Sequence, residues 1–238
     1  ALAALTRGQF ILFAGGILLY VVLTARAGGS SVMRRVLPFL AGLVLCWGPW
    51  VVRNYLVLGA VVPFSTNGGD ILYRANNGLA TGGYIEQGER NYWPLVEGEV
   101  QLYRMTTAWA VEWIKGHPGQ FLQLMGKKFF LLLGEDHFGY YYSLRWPHPE
   151  QRALYAGLQL LSNAWWLGAW MVILAGRKRI LEALRPTPAR VWMILAIPAV
   201  MVAVHSVFES GSRYHVPMLP VVILLLALST TRSSKAAV

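Results

Sequence analysis

Five long apolar stretches constrain the fold of this 238-residue chain more than any other feature. They lie at about 10–25, 36–52, 154–175, 191–208 and 216–230. An apolar run of roughly 17–25 residues can cross a bilayer as a helix. Inside a bilayer the backbone must satisfy its own hydrogen bonds, which a helix does within one segment. The sequence therefore predicts an all-α fold class, a polytopic bundle of membrane helices that forms one integral-membrane domain.

Composition supports this class of protein. Hydrophobic residues make up 55% of the chain, charged residues only 13%, and the mean hydropathy is +0.44. Ten Trp and eleven Tyr suit the two bilayer interfaces. The single cysteine, Cys46, lies inside the second apolar stretch and cannot form an intrachain disulfide. Because the chain begins at Ala1 with neither Met nor a signal-peptide n-region, we expect a missing N-terminal half or partner subunits.

The basic residues predict an orientation in the membrane. Most of the net charge of +10 lies in three segments that connect or follow the apolar stretches. Their charged residues are Arg26, Arg34 and Arg35; Arg177, Lys178, Arg179, Glu182, Arg185 and Arg190; and Arg232 and Lys235. Cytoplasmic segments are enriched in Lys and Arg, so five spans put residues 53–152 and the turn 209–215 on the outer side. A nucleic-acid groove would gather its charge on one face, and no nucleic-acid partner is predicted.

The segment 53–152 is predicted to form an embedded outer-face subdomain of short helices and loops. Gly, Asn and Ser predict turns at 65–70, 76–78 and 81–83. A helix is predicted over about 94–115 and ends before Pro118, which can begin the next helix. The apolar run 121–134 carries Lys127 and Lys128. It fits either an interfacial helix with snorkelling lysines or an ordinary helix packed in the outer subdomain.

Two arginines at predicted outer ends of apolar stretches are candidate ligand-binding groups. Arg53 closes the second stretch beside Asn54, and Arg213 precedes the fifth beside Tyr214. A guanidinium binds phosphate through parallel hydrogen bonds, so two outer arginines can clamp a phosphate or pyrophosphate. Equally, arginines at helix ends can anchor a protein to lipid headgroups. The sequence leaves both interpretations open.

Most carboxylates lie in the outer segment, and a general base would be drawn from them. Asp70 follows Gly68 and Gly69, a setting that suits either close backbone approach to a substrate or simple capping of a turn. The sequence contains no zinc-protease, EF-hand or paired-cysteine motif, so no metal site is predicted. It also lacks a glycine-rich nucleotide motif, and we expect no cofactor bound by a recognisable motif.

Several short motifs together resemble one known family. They are Leu5-Thr-Arg7, Pro49-Trp-x-x-Arg53-Asn54, Pro63-x-Ser65-Thr-Asn67-Gly-Gly69, the break at His117-Pro118 followed by Lys127-Lys128-Phe-Phe, and Arg213-Tyr214-x-x-Pro217-x-x-Pro220. In their order and spacing they resemble the C-terminal part of GT-C integral-membrane glycosyltransferases. The similar group is protein-mannosyltransferase-like and aminoarabinose-transferase-like, that is, glycosyltransferase family 39-like. The resemblance covers most of the chain.

This resemblance implies a partial GT-C-like bundle in a bacterial inner membrane, with residues 53–152 on the periplasmic side. It implies transfer of a sugar from a polyprenyl-phosphate carrier, the donor substrate, to an acceptor at the outer face. The implied partners are membrane lipids and the carrier. The family's catalytic acid lies in an N-terminal half outside this sequence, so the catalytic residue stays unassigned. Substrate-binding candidates are Arg53, Asn54, Asp70, Lys127, Arg213 and Tyr214.

Two other functions can be compared with this one. A non-catalytic GT-C-like membrane subunit of a larger complex, serving packing or lipid binding, stays open as the alternative. A transporter of lipid-linked sugars would place polar residues in the middle of the membrane. The apolar stretches have almost none, and His205 lies near the end of its stretch.

Overall fold

The structure is a computed structural model that describes residues 2–29, 31–84, 97–136, 138–145, 149–185 and 188–231. Within these ranges every regular element is helical, and no strand occurs among them. The all-α fold class predicted from the apolar stretches is therefore confirmed. The GT-C character of the bundle stays a prediction.

Eleven α-helices follow one another along the described residues. They are α1 Leu2–Thr6, α2 Ile11–Ala27, α3 Val32–Leu58, α4 Gly68–Ala75, α5 Glu99–Gly116, α6 Pro118–Leu133, α7 Phe138–Tyr140, α8 Arg152–Ala175, α9 Arg177–Leu184, α10 Pro188–Val207 and α11 Leu219–Thr230. Short 3-10 turns lie at Gly8–Phe10, Pro149–Gln151, Ser212–Tyr214 and Val216–Met218, and a π-helical turn at Tyr141–Arg145. The predicted break at His117 is confirmed, because α5 ends at Gly116 and α6 begins at Pro118.

Four helical segments in the described part of the chain are long and apolar enough to cross a membrane. They are Gly8–Ala27, Val32–Leu58, Arg152–Ala175 and Ser212–Thr230. They contain the first, second, third and fifth predicted stretches. The fourth predicted stretch, 191–208, falls in α10, where the shorter apolar helix Leu195–Val207 is described. A count of five spans therefore stays a prediction.

The chain divides into two compact units. One comprises Ala1–Gly78 and Ile85–His117, and the other comprises Leu79–Tyr84 and Pro118–Val238. The predicted outer segment 53–152 includes parts of both units. The helix predicted over 94–115 corresponds to α5, which begins only at Glu99, because the backbone of Gly98 has a φ of 92° that a helix does not allow; residues 85–96 lie outside the described residues.

In the first unit, α3 is tied to the loop that follows it. Three side chains on this helix donate to three consecutive carbonyls: Trp47 Nε1 to Pro63 at 2.8 Å, Trp50 Nε1 to Phe64 at 3.0 Å, and Asn54 Nδ2 to Val62 at 2.8 Å. Their spacing of three and four residues puts all three donors on one side of the helix. These hydrogen bonds therefore fix the Pro63 loop against the side of α3 that carries the Pro49-Trp-x-x-Arg53-Asn54 motif.

Two local predictions in the first unit are corrected. Arg53 was expected to close its helix, but α3 continues through Leu58, so Arg53 lies more than one turn inside it. Asp70 was expected in a turn, but α4 begins at Gly68 and Asp70 lies in its first turn. A carboxylate is favourable there, because the first helical N–H groups carry partial positive charge.

The second unit has a hydrophobic core between α8, α9 and α11. Trp166, Ile173, Ile180 and Val222 are buried in it. Partly buried leucines of α9 and α11 pack around these four residues. This packing brings the ends of α8 and α11 together and positions α9 beside them.

Candidate functional site

A polar cluster lies where α10 ends and the chain turns towards α11. We call it the Glu209 cluster, and its members are Lys128, His205, Glu209, Ser210, Arg213 and Tyr214. The chain turns between Val207, where α10 ends, and Ser212, where a 3-10 turn begins. Glu209 and Arg213 are four residues apart across this turn and form an ion pair.

One carboxylate oxygen organises the centre of the cluster. Arg213 Nη2 and the Tyr214 hydroxyl both donate to Glu209 Oε1, and Arg213 Nη2 also donates to the Tyr214 oxygen. The Glu209 side chain is 3% exposed, whereas that of Arg213 is 31% exposed. A buried carboxylate needs such charged and hydrogen-bonded partners, because an unpaired one would be strongly destabilising.

Two tyrosine rings lie close to the Arg213 guanidinium. Its Cζ lies 4.6 Å from the Tyr214 ring centroid and 5.6 Å from that of Tyr84. The His205 ring stacks on Tyr214 with centroids 4.1 Å apart. His205 Nδ1 lies 2.7 Å from the Glu209 carbonyl oxygen, so this nitrogen carries the proton and donates it. The contacts restrict the guanidinium to one orientation.

Lys128 is the deepest cation of the cluster. Its side chain is fully buried, and Nζ donates to the carbonyl of Val207, the last residue of α10, at 2.9 Å. The last carbonyls of a helix have no partner within it and favour a nearby cation. Burial lowers the pKa of Lys128 to about 8. Lys128 thus joins α6 to the end of α10.

A second polar group caps the end of α6. His215 Nδ1 lies 3.0 Å from the Leu132 carbonyl, and Trp166 Nε1 donates to the Leu133 carbonyl at 2.7 Å. The two rings stack with centroids 4.2 Å apart. Asp136 Oδ1 lies 3.6 Å from His215 Nε2. These contacts hold His215, and with it the start of α11, against α6.

The structure brings together only some of the predicted site residues. Arg213 and Tyr214 meet in the Glu209 cluster, whereas Lys127 is an exposed neighbour of buried Lys128 on α6. The expectation that both lysines snorkel is therefore wrong for Lys128. The helical period explains the difference, because consecutive residues point about 100° apart and only one faces α10.

The remaining candidates belong to the first unit. Exposed Arg53 donates to Asn54 Oδ1 at 3.0 Å, and its guanidinium lies 5.4 Å from the Trp50 ring centroid. Asp70 is 5% exposed and pairs with Arg74 Nε at 3.1 Å. Arg53 and Arg213 thus belong to different units, and their joint clamp stays a hypothesis.

The predicted substrate-binding residues did not include four buried members of the cluster, Lys128, His205, Glu209 and Ser210. Helical spacing does not identify them, because α10 ends at Val207 and Glu209 lies in the turn that follows; the available signal was the set of ionisable side chains at the edge of an apolar stretch. The described residues contain no group of three or more His, Cys, Asp or Glu side chains that could hold a metal ion.

Comparison with known protein families, curated proteins and solved structures finds no match to this chain. The class defined by its own geometry is a helical protein whose described residues include four segments able to cross a membrane and, in the second unit, a buried charged cluster.

Proposed function

We propose that this chain is part of a membrane glycosyltransferase that moves a sugar from a polyprenyl-phosphate carrier to an acceptor at the outer face of the membrane. One observation carries the proposal. The half-buried Arg213 guanidinium lies close to two tyrosine rings at the start of an apolar segment, Ser212–Thr230. The phosphate of a polyprenyl carrier stays at the bilayer surface, where a cation at a helix end can meet it.

Arg213 has the chemistry to bind this phosphate while it keeps its place in the cluster. A guanidinium carries five N–H donors in a rigid fork. Nη2 serves Glu209 and Tyr214, and the 31% exposure of the side chain gives an oxyanion access to it. Glu209 holds the guanidinium in position, so no reorganisation is needed when the ligand binds. Tyr84, itself exposed, offers a ring face to the sugar.

The transfer step needs only the polyprenyl-phosphate sugar and the acceptor hydroxyl, with no further co-reactant. The acceptor hydroxyl attacks the anomeric carbon as the bond between this carbon and the phosphate oxygen breaks. The phosphate oxygen keeps the bonding electrons, and Arg213 stabilises its developing charge. The acceptor proton passes to a carboxylate base, which the family resemblance places outside this sequence.

The test is turnover of a polyprenyl-phosphate sugar by the full-length protein in proteoliposomes. Loss of a preorganised donor to a developing oxyanion costs about 10²–10³-fold in kcat. We expect Arg213→Ala to lose activity on that scale and Arg213→Lys to recover part of it. Arg152→Ala is the matched control, because Arg152 is an exposed arginine at the start of an apolar helix in the same unit. Full turnover by Arg213→Ala would overturn the proposal.

The alternative, a non-catalytic GT-C-like membrane subunit, has its own supporting observation. The bonds among Glu209, Arg213 and Tyr214 also close the chain turn against itself, as a purely structural lock would. In that case the full-length protein has no transferase activity, and Arg213→Ala lowers the unfolding temperature only. Measuring both turnover and unfolding temperature for the same preparations separates the two functions.

A further inference from the structure

Helix α9 lies across the ends of two apolar helices of the second unit. It follows α8 after Gly176 alone, and a Cβ on Gly176 would lie 2.3 Å from Ser229 Cβ near the end of α11. Two arginines secure the arrangement. Arg177 Nη1 donates to the Leu174 carbonyl of α8 at 3.2 Å, and Arg179 Nη1 donates to the Ser229 carbonyl of α11 at 3.0 Å. Both carbonyls belong to last turns, which attract cations.

One face of α9 is occupied by the protein itself. Ile180 is buried in the core formed with Ile173 and Val222, and Leu184, one turn later, packs against that core. These two side chains anchor the helix. The apolar face of α9 is therefore not available to a membrane or a partner.

An exposed flank of α9, beside its buried face, presents a basic stripe with a leucine in its centre. Lys178, Leu181 and Arg185 are all exposed, and Leu181 is 64% exposed. Their spacing of three and four residues aligns them along the helix. Glu182 is the one acid of the segment 177–185. A leucine between two cations is the composition of a surface that meets a bilayer, where cations reach phosphates and the apolar side chain enters the acyl boundary.

We propose that this stripe binds the headgroups of anionic phospholipids at the membrane surface where α8 and α11 end. The ends of two membrane-length helices bring the stripe to the depth of the headgroups. Each Lys or Arg near an anionic surface contributes about 1 kcal/mol of attraction. The site is separate from the Glu209 cluster and does not depend on the proposed transferase activity.

The test measures binding of phosphatidylglycerol and phosphatidylcholine to the full-length protein in mixed micelles by native mass spectrometry. We expect preference for the anionic lipid, weakened by salt. The double variant Lys178→Gln/Arg185→Gln is expected to bind phosphatidylglycerol about 30-fold more weakly. This fold-change corresponds to about 1 kcal/mol for each of the two cations removed. Leu181→Ser keeps the charges and is expected to cause a smaller loss. Inorganic phosphate is expected not to displace the lipid, because it cannot use Leu181.

The matched control is Arg34→Gln/Arg35→Gln, which removes two exposed basic residues near the start of α3. An equal loss in this control would show that total charge decides binding and would overturn the assignment to α9. So would an unchanged lipid preference in Lys178→Gln/Arg185→Gln, or displacement by inorganic phosphate. Because Lys178 and Arg185 are exposed, both double variants are expected to fold, which their unfolding temperatures check.

Discussion

The buried ammonium group of Lys128 donates a hydrogen bond to the carbonyl of Val207 at 2.9 Å and so joins α6 to the end of α10. Ser210, just beyond that end, donates back from its hydroxyl to the Lys128 carbonyl at 2.7 Å. The same Ser210 donates its N–H to the Gly82 carbonyl at 3.0 Å. Three chain segments that are far apart in sequence therefore meet at Lys128 and Ser210.

The burial of Lys128 makes the stability of the fold change with pH in the alkaline range. Because the pKa of Lys128 falls from 10.5 to about 8 on folding, the unfolded chain binds more protons than the folded protein between these values. Stability therefore rises with pH across this window. We expect Lys128→Met to remove this rise from the unfolding midpoint of the full-length protein in detergent. Lys127→Met, which changes the exposed neighbour, is expected to keep it; an identical pH profile in both variants would contradict the prediction.

Glu209 and Arg213 are expected to be energetically coupled. Unfolding free energies of Glu209→Gln, Arg213→Gln and the double variant give the coupling by a double-mutant cycle. We expect about 1–2 kcal/mol, below the value for a wholly buried pair, because Arg213 is partly exposed to solvent. A cycle of Glu209→Gln with Arg152→Gln is the control and is expected to give no coupling. A near-zero value for the first cycle would show that the ion pair does not stabilise the turn.

Gly69 allows the close approach of α4 to α5. A Cβ at this position would lie 2.3 Å from the Tyr103 carbonyl oxygen and 2.6 Å from Thr107 Oγ1. Since backbone cannot move as a flexible side chain does, we expect Gly69→Ala to destabilise the protein by about 1–3 kcal/mol. Gly68→Ala is the control, because its nearest atom, in Tyr103, lies 3.7 Å away. Equal unfolding midpoints for the two variants would refute this account of the helix contact.

Asn54 and Arg53 are adjacent but are expected to differ in their effect on stability. Asn54 is buried and donates to the Val62 carbonyl, so Asn54→Ala leaves that carbonyl without its bond and costs about 1–3 kcal/mol. Arg53 is exposed, and Arg53→Ala is expected to leave the unfolding free energy nearly unchanged. Chemical denaturation of both variants in the same detergent measures the difference. A larger loss for Arg53→Ala would contradict this order.

Some of the candidate site was accessible from sequence, and some was not. Arg213 stands out because an arginine at the predicted outer end of an apolar stretch runs against the positive-inside bias, and Tyr214 is its neighbour. Asn54 was likewise predicted to bind substrate, but in the structure its amide donates to the Val62 carbonyl and holds that loop. A motif shows which residues are unusual, but only packing shows whether their polar atoms already have protein partners.

The sequence by itself determined the all-α class and, in the described residues, four apolar segments of membrane length, because uninterrupted apolar runs of this length favour helices over the much shorter strands. It also determined the break before Pro118, which is a local property of the backbone. Only the tertiary structure decided that Lys128 is buried while Lys127 is exposed, and that Arg213 is held by Glu209 and Tyr214. The burial of Lys128 depends on contact with a segment 79 residues away, and the pairing of Arg213 depends on how the turn after α10 folds. Neither can be read from a local sequence pattern.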